Sequence, residues 1–246
     1  MKKADELRHK RAEWDKKLAS TIQKMGCPEG GVTTDSGIPV KWAYTPEGVA
    51  DIDYLQELSF PGEYPYTRGV YNTMYRVRPW TMRQIAGFEG GRGTNQRLKA
   101  LLAAGETGLN IIYDLPTMRW IDCDHPKARA QVGQAGVSIS TMQDVEELFE
   151  GIPLEKTNVS LIAPCNGPII FAMYLALAEK RGLDYSLLAG SLQNDPLKEY
   201  ETLEAGFSVF PVEPALKVAL DVMEFCARHV PRFTPVTVNG HCLREY

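Results

Sequence analysis

Apolar and polar positions along this chain follow two regimes. From Thr94 onward, short apolar runs recur at 108–115, 136–140, 159–163, 188–192 and 235–238, and their length predicts strands. Between them the apolar spacing lengthens to a helical period, at 95–104, 142–149, 169–181, 196–204 and 214–229. Pro196 and Pro214 suit a first helical turn, where a missing N–H costs nothing. Short apolar strands alternating with amphipathic helices predict an α/β fold, a parallel sheet with helices outside it. Five strands fit an open doubly wound sheet or the first part of an eight-stranded barrel.

The chain before Thr94 reads differently. Residues 2–24 predict a solvent-rich helix with Leu7, Trp14, Leu18 and Ile22 on one stripe. So thin a stripe among mixed charges favours docking on another subunit over loose packing on its own domain. Residues 26–66 are rich in Gly, Pro and turn formers, with one short strand expected at 38–42, and predict an extended arm. The expected organisation is a helix and arm over 1–60, a further arm segment over 61–93, and βα repeats over 94–246.

Composition narrows the class. A chain of 246 residues can hold one large α/β domain, since barrels of that kind run to about 250 residues. Its net charge of -4 gives no global attraction to nucleic acid. The five cysteines are scattered without a C-x-x-C, and no metal-ligand spacing links them to the four histidines. That usage points to a reducing compartment, hence the cytoplasm. The charged N-terminus lacks the apolar stretch of a secretory signal, and no window approaches a membrane span.

The candidate chemistry concentrates at 65–88, PYTRGVYNTMYRVRPWTMRQIAGF. It interleaves Arg68, Arg76, Arg78 and Arg83 with Tyr66, Tyr71, Tyr75 and Trp80. Guanidinium forks suit phosphate, and aromatic faces suit a flat ring. A phosphorylated, adenine-bearing ligand fits, as does single-stranded nucleic acid. Arginines paired with surface carboxylates and aromatics filling a core account for the same composition. No G-x-G-x-x-G follows a strand, and the glycines at 87–93 fit no phosphate loop.

The segment at 65–88 resembles the methylmalonyl-CoA mutase family. Similar stretches follow in family order: GETGLNIIYDLPT with DCDHP, VGQAGVSIST, AMYLALAEKRG, LAGSLQNDPLKEY and FPVEPALKVALDVMEFCARHVPRF. The resemblance covers about three-quarters of the chain, from about Leu58 onward. It implies a partial (β/α)8 TIM barrel of five βα units that threads acyl-CoA along its axis, with adenosylcobalamin over the carboxyl ends of the strands. The implied reaction is a radical carbon-skeleton isomerisation, in which the thioester carbonyl group migrates to the neighbouring carbon. By position, Tyr71, Thr73, Met74, Arg78, Thr81 and Arg83 match family contacts to CoA and the acyl group. Gln193 matches a residue that hydrogen-bonds near the thioester, and Tyr113, Leu115, Ala135 and Glu245 match positions near the corrin.

Departures bear on the substrate. Ile85 replaces the tyrosine of methylmalonyl-CoA enzymes, and Leu203 replaces their carboxylate-binding arginine. A buried carboxylate without that cation is costly. Ile85 is similar to the 2-hydroxyisobutyryl-CoA mutase branch, yet Ile112 stands where that branch has its hydroxyl-binding aspartate. An apolar, branched acyl group is therefore expected. In NGHCLRE, the pair His241 and Cys242 stands where the family reads Tyr-His, so a weak thiol donor replaces the histidine that supports the migrating carbonyl.

The family's cobalt-ligating D-x-H-x-x-G is not in this sequence, and the family barrel has three further βα units. The expected partners are an acyl-CoA, a B12-binding small subunit or domain that ligates cobalt, and a chain completing the barrel, in a hetero- or homo-oligomer. Nucleic acid and membrane are not expected partners. A non-catalytic acyl-CoA-binding or assembly subunit, or a truncated inactive mutase, is the alternative.

Overall fold

The computed structural model describes residues 2–26, 32–49, 51–77, 79–164, 166–198, 211–238 and 240. They divide into two compact units, Met1–Arg78 and Pro79–Tyr246. In the first unit, α1 (Lys2–Met25) is a mostly exposed helix whose Leu7, Leu18 and Ile22 are half-buried. Its polar face carries i,i+4 pairs such as Arg11–Asp15 at 2.9 Å, each stabilising by about 0.3–0.5 kcal/mol. The strand expected at 38–42 does not form. A single antiparallel bridge joins Thr33 to Pro39, and a proline has no N–H to extend a ladder.

The second unit is a parallel sheet with helices on one face. Its elements are β1 (Ile85–Ala86), α2 (Gly91–Ala103), β2 (Gly108–Ile112), α3 (Leu115–Met118), α4 (Met142–Leu148), β3 (Asn158–Ile162), α5 (Gly167–Lys180), β4 (Ala189–Leu192), α6 (Val212–His229) and β5 (Phe233–Thr234). The strands lie in the order β1-β2-β3-β4-β5, every pair parallel. Each neighbour in space is the neighbour in sequence, as repeated βα units require.

Two strand expectations are corrected. The run at 136–140 does not join the sheet, because β2 already has β1 on one edge and β3 on the other. It meets β2 only at that strand's carboxyl end, where Val137 N donates to the Ile112 carbonyl at 2.9 Å and Val137 bridges Tyr113. The first strand is instead Ile85–Ala86, inside the segment read as arm. The last strand ends at Thr234, not within 235–238, since Pro235 cannot donate to the ladder. Of the helix expected at 196–204, residues 196–198 are helical and the rest lies outside the described residues.

Strand alternation divides the sheet's two faces. Leu109, Ile111, Val159, Leu161 and Leu192 are fully buried toward the helices. There they meet Leu98, Leu148, Phe149, Tyr174 and Leu177. Phe149 and Tyr174 meet edge to face at 5.4 Å, and Phe171 lies 4.8 Å from Phe233. Gly190 allows β4 to close on β3, because a Cβ there would lie 1.9 Å from the Val159 carbonyl oxygen. The other face carries Asn110, Ile112, Asn158, Ser160, Ile162, Ala189 and Ser191, all half-buried.

Cys226 belongs to the helix-side core, where burial pushes its thiol up to about 11, whereas Cys123 is exposed. Iodoacetamide at pH 8 is accordingly expected to alkylate Cys123 within minutes and to spare Cys226 until denaturant is added. Peptide mapping by mass spectrometry checks this; equal labelling of the two in the native chain would contradict the packing.

Candidate functional site

The face turned away from the helices is laid out in rows by the parallel register. The middle row aligns Ile85, Asn110, Ser160, Ser191 and Thr234. The row toward the amino ends aligns Gly108, Asn158 and Ala189, with Arg83 reaching Asn158 through a 2.9 Å hydrogen bond from Nη1 to Oδ1. The row toward the carboxyl ends pairs Ile112 with Ile162. Gln193 follows beside Ile162, its backbone N–H donating to the Leu161 carbonyl at 2.9 Å.

This face does not resemble a packed barrel interior. Barrel cores are filled with bulky branched side chains, yet the middle row is mostly small and polar. Ser191 Oγ donates to Ser160 Oγ at 3.0 Å. Among the described residues, Asn110 Oδ1 is buried and has no hydrogen-bond partner. A buried acceptor left unmet costs about 1–3 kcal/mol, so it marks a place for an incoming donor. None of Asn110, Ser160, Ser191 and Thr234 stood out in the sequence as a site residue. The signal was there, in single polar residues alternating with apolar ones inside the strands.

Arg83 owes its position to the chain just before β1. Met82 N donates to Thr107 Oγ1 at 2.8 Å, Thr107 N to the Met82 carbonyl at 3.0 Å, and Gln84 N to Glu106 Oε1 at 3.0 Å. These bonds carry the β1 alignment back past Arg83. Burial lowers its guanidinium from its ordinary value, and it remains a cation with more N–H donors than the one bond to Asn158 uses among the described residues. Arg83 and Thr81 share an open cleft of about 490 Å³ with Trp80, Gln84 and Glu106.

The remaining expected residues are distributed as follows. Tyr71, Thr73 and Met74 are exposed in the first unit, in a run of turns where Met74 has a φ of 51° and the Tyr71 and Tyr75 rings meet at 5.4 Å. Thr81 and Ile85 are exposed in the second. Tyr113 is buried on the helix side, where desolvation drives its phenol pKa up and Tyr174 adds to the rise. Leu115 is exposed just past the end of β2, and Ala135 is exposed in the loop before the Val137 bridge. Arg78, Leu203, His241, Cys242 and Glu245 lie outside the described residues.

Asp114, which the sequence reading did not single out, braces this end of the sheet. It is fully buried, its Oδ1 accepting from Thr117 N at 2.9 Å and its Oδ2 from Gly133 N at 2.7 Å. Asn166 extends the brace, donating from Nδ2 to the Thr117 carbonyl at 3.0 Å. The sheet therefore presents a polar face, an exposed arginine at its amino end, and braced loops at its carboxyl end.

Such a parallel sheet, with helices on one face and a small-residue polar row on the other, defines an α/β protein. Comparison with known proteins gives the family. The methylmalonyl-CoA mutase family pattern matches residues 33–246, and the chain belongs to that family. It is 39% identical over 241 residues to the 2-hydroxyisobutanoyl-CoA mutase large subunit of Aquincola tertiaricarbonis, covering 98% of this chain and 42% of that protein. It is 38% identical over 233 residues to methylmalonyl-CoA mutase of Cereibacter sphaeroides, covering 94% of this chain and 32% of that one. The human mitochondrial methylmalonyl-CoA mutase is 40% identical over 214 residues, or 86% of this chain and 28% of that protein. The chain thus spans less than half the length of these relatives. Among the described residues no helix is long and apolar enough to cross a membrane.

Proposed function

We propose that this chain is catalytic-chain material of an adenosylcobalamin-dependent acyl-CoA mutase, an isomerase that moves a thioester carbonyl group between neighbouring carbons of an acyl-CoA with no free carboxylate. The observation that carries the reading is the polar inner row, with its unmet Asn110 acceptor. The pantetheine arm of CoA is a long chain bearing amide N–H groups, and Asn110 Oδ1 can accept one of them. The Ser160 and Thr234 hydroxyls can serve its carbonyls as donors, Ser191 Oγ already donating to Ser160 Oγ. Arg83, at the amino end of the same face, offers a guanidinium to phosphate.

Leu115 and Ala135 fit the cofactor: both expose small apolar surface at the carboxyl end of β2, where a flat ring can rest. Adenosylcobalamin, when bound, supplies the radical chemistry that removes a hydrogen from the substrate and returns it. The chain's own residues bind, orient and shield the substrate. Arg83 and Thr81 hold CoA from the second unit, and Tyr71, Thr73, Met74 and Arg78 are assigned to CoA only by their match to family positions. Gln193 donates its side-chain amide to the thioester oxygen, and the inner face excludes water. The cobalt ligand comes from a B12-binding domain or small subunit, in keeping with the name of the Aquincola large subunit. Completion of the barrel by further strands and work in the cytoplasm belong to the same proposal.

Cys242 in place of a histidine favours a second reading, a non-catalytic acyl-CoA-binding or assembly subunit. Supplying the chain with a B12-binding subunit, the remaining barrel strands and adenosylcobalamin separates the two. Isomerisation of isobutyryl-CoA, followed by chromatography of the acyl-CoAs, is expected. Tight CoA binding with no isomerised product selects the second reading.

A further inference from the structure

We infer that Ile162, packed in register between Ile112 and Gln193, is a specificity residue that makes the acyl subsite select branched hydrocarbon groups and disfavour hydroxylated and carboxylated ones. The inference rests on the mutase reading and names the substrate class of that same face.

The placement follows from the ladder. Ile112 pairs with Ile162, and Leu161 pairs with Leu192 on the next strand, so Gln193 stands across from Ile162. Neighbouring strands lie about 4.7–4.9 Å apart, which puts the Ile162 side chain against both flanking residues. Alternation sets all three on the face away from the helices, because Leu161, Leu192 and Ile111 are fully buried on the other side. Gln193 supplies the polar amide at the thioester, and Ile162 is its immediate lateral neighbour.

The character of the face changes abruptly along the strands. One row toward the amino ends it is polar, with Asn110, Ser160 and Ser191 side by side. At the Ile162 row it is two sec-butyl groups and one amide. Arg83 falls in register with Gly108, four residues earlier, about 13 Å away at 3.3 Å per residue. Arg232 flanks β5 at a similar level, its carbonyl accepting from Gly190 N at 3.4 Å. An acyl group held at Gln193 is therefore out of reach of either guanidinium. A hydroxyl on that group would face the isoleucines with its hydrogen-bonding capacity unused, and a carboxylate would do so with a full charge. Hydrocarbon walls reject an added hydroxyl by about 10²-fold at most, whereas an unpaired carboxylate is rejected more strongly.

Equilibrium binding tests this separately from catalysis. Calorimetric titration of the full chain with isobutyryl-CoA, 2-hydroxyisobutyryl-CoA and methylmalonyl-CoA should rank them in that order, the first two at least about tenfold apart. Ile162→Thr, which puts a hydroxyl at the same point, should close that gap by about fivefold or more, while Ile162→Val keeps it. Equal affinities in the parent chain, or a ranking that Ile162→Thr leaves unmoved, would overturn the assignment. Selective binding without isomerisation in the assembled enzyme supports the assignment and removes only the mutase reading. Absence of binding to all three removes both.

Discussion

Replacing Gln193 with alanine lowers kcat for isobutyryl-CoA in the assembled mutase by about 10²–10³-fold and leaves the affinity for that acyl-CoA within about threefold. The expectation comes from where the side chain stands and what it can do. It follows the last residue of β4, with its backbone fixed to the Leu161 carbonyl at 2.9 Å. Its amide therefore projects from a rigid strand end, not from a loop. A donor held in that way stabilises charge that grows on a carbonyl oxygen during reaction, and removal of one such donor typically costs about 10²–10³ in kcat. Ground-state binding is spread over the long CoA arm, so KM should change little while kcat falls. Gln193→Glu keeps the volume, replaces the donor with a carboxylate, and should be at least as slow as Gln193→Ala. Single-turnover measurement with saturating acyl-CoA is the appropriate check. A Gln193→Ala enzyme with a third or more of the parent rate would remove Gln193 from the reaction and leave it as a channel wall.

The periodicity of the sequence made the βα alternation legible, but it missed β1 and set a strand at 136–140 instead, for an identifiable reason. Strand runs at 108–115, 159–163 and 188–192 contain fully buried outward residues, and these stood out as apolar. Ile85–Ala86 is two residues long and lies among arginines and aromatics, so its strand character comes from pairing with Asn110 and Ile111, not from its own pattern. The run at 136–140 has the pattern of a strand and lacks a free edge to join. Tertiary availability decided both cases, and local propensity carries no record of it. The candidate site divides in a similar way. Arg83 and Gln193 were legible through resemblance to a family, whereas the Asn110, Ser160 and Ser191 row emerges only when register aligns residues about thirty to fifty positions apart. Asp114 was hidden for another reason: its partners, Thr117 and Gly133, are three and nineteen residues away, and only folding brings both N–H groups to one carboxylate.

That carboxylate carries the larger stability effect. Asp114→Ala is expected to destabilise the chain by about 3–5 kcal/mol, because it strands two backbone donors, one of them deep in the interior. Each buried donor left unpaired costs about 1–3 kcal/mol, with more when the lost acceptor is charged. Water offers little relief, since Asp114 is fully buried and the Gly133 N–H bond is itself buried. Asp114→Asn should cost less, about 1–3 kcal/mol, as its single carbonyl oxygen can satisfy one donor while the amide nitrogen confronts the other. Urea unfolding gives the measure: a lower midpoint with an unchanged slope reports lost stability without a change in compactness. The same substitution reaches function by a short route. Asp114 joins the end of β2 to the first turn of α3 and to the loop around Gly133, and these flank Leu115 and Ala135. Loosening them unsettles the apolar ledge proposed for the corrin, while the polar wall on β2, β3 and β4 proposed for CoA keeps its ladder. Asp114→Asn should therefore weaken adenosylcobalamin binding in the assembled enzyme by about tenfold or more and leave acyl-CoA affinity nearly unchanged. An equal loss of both affinities would mean that the brace supports the whole sheet, and would place the cofactor ledge elsewhere.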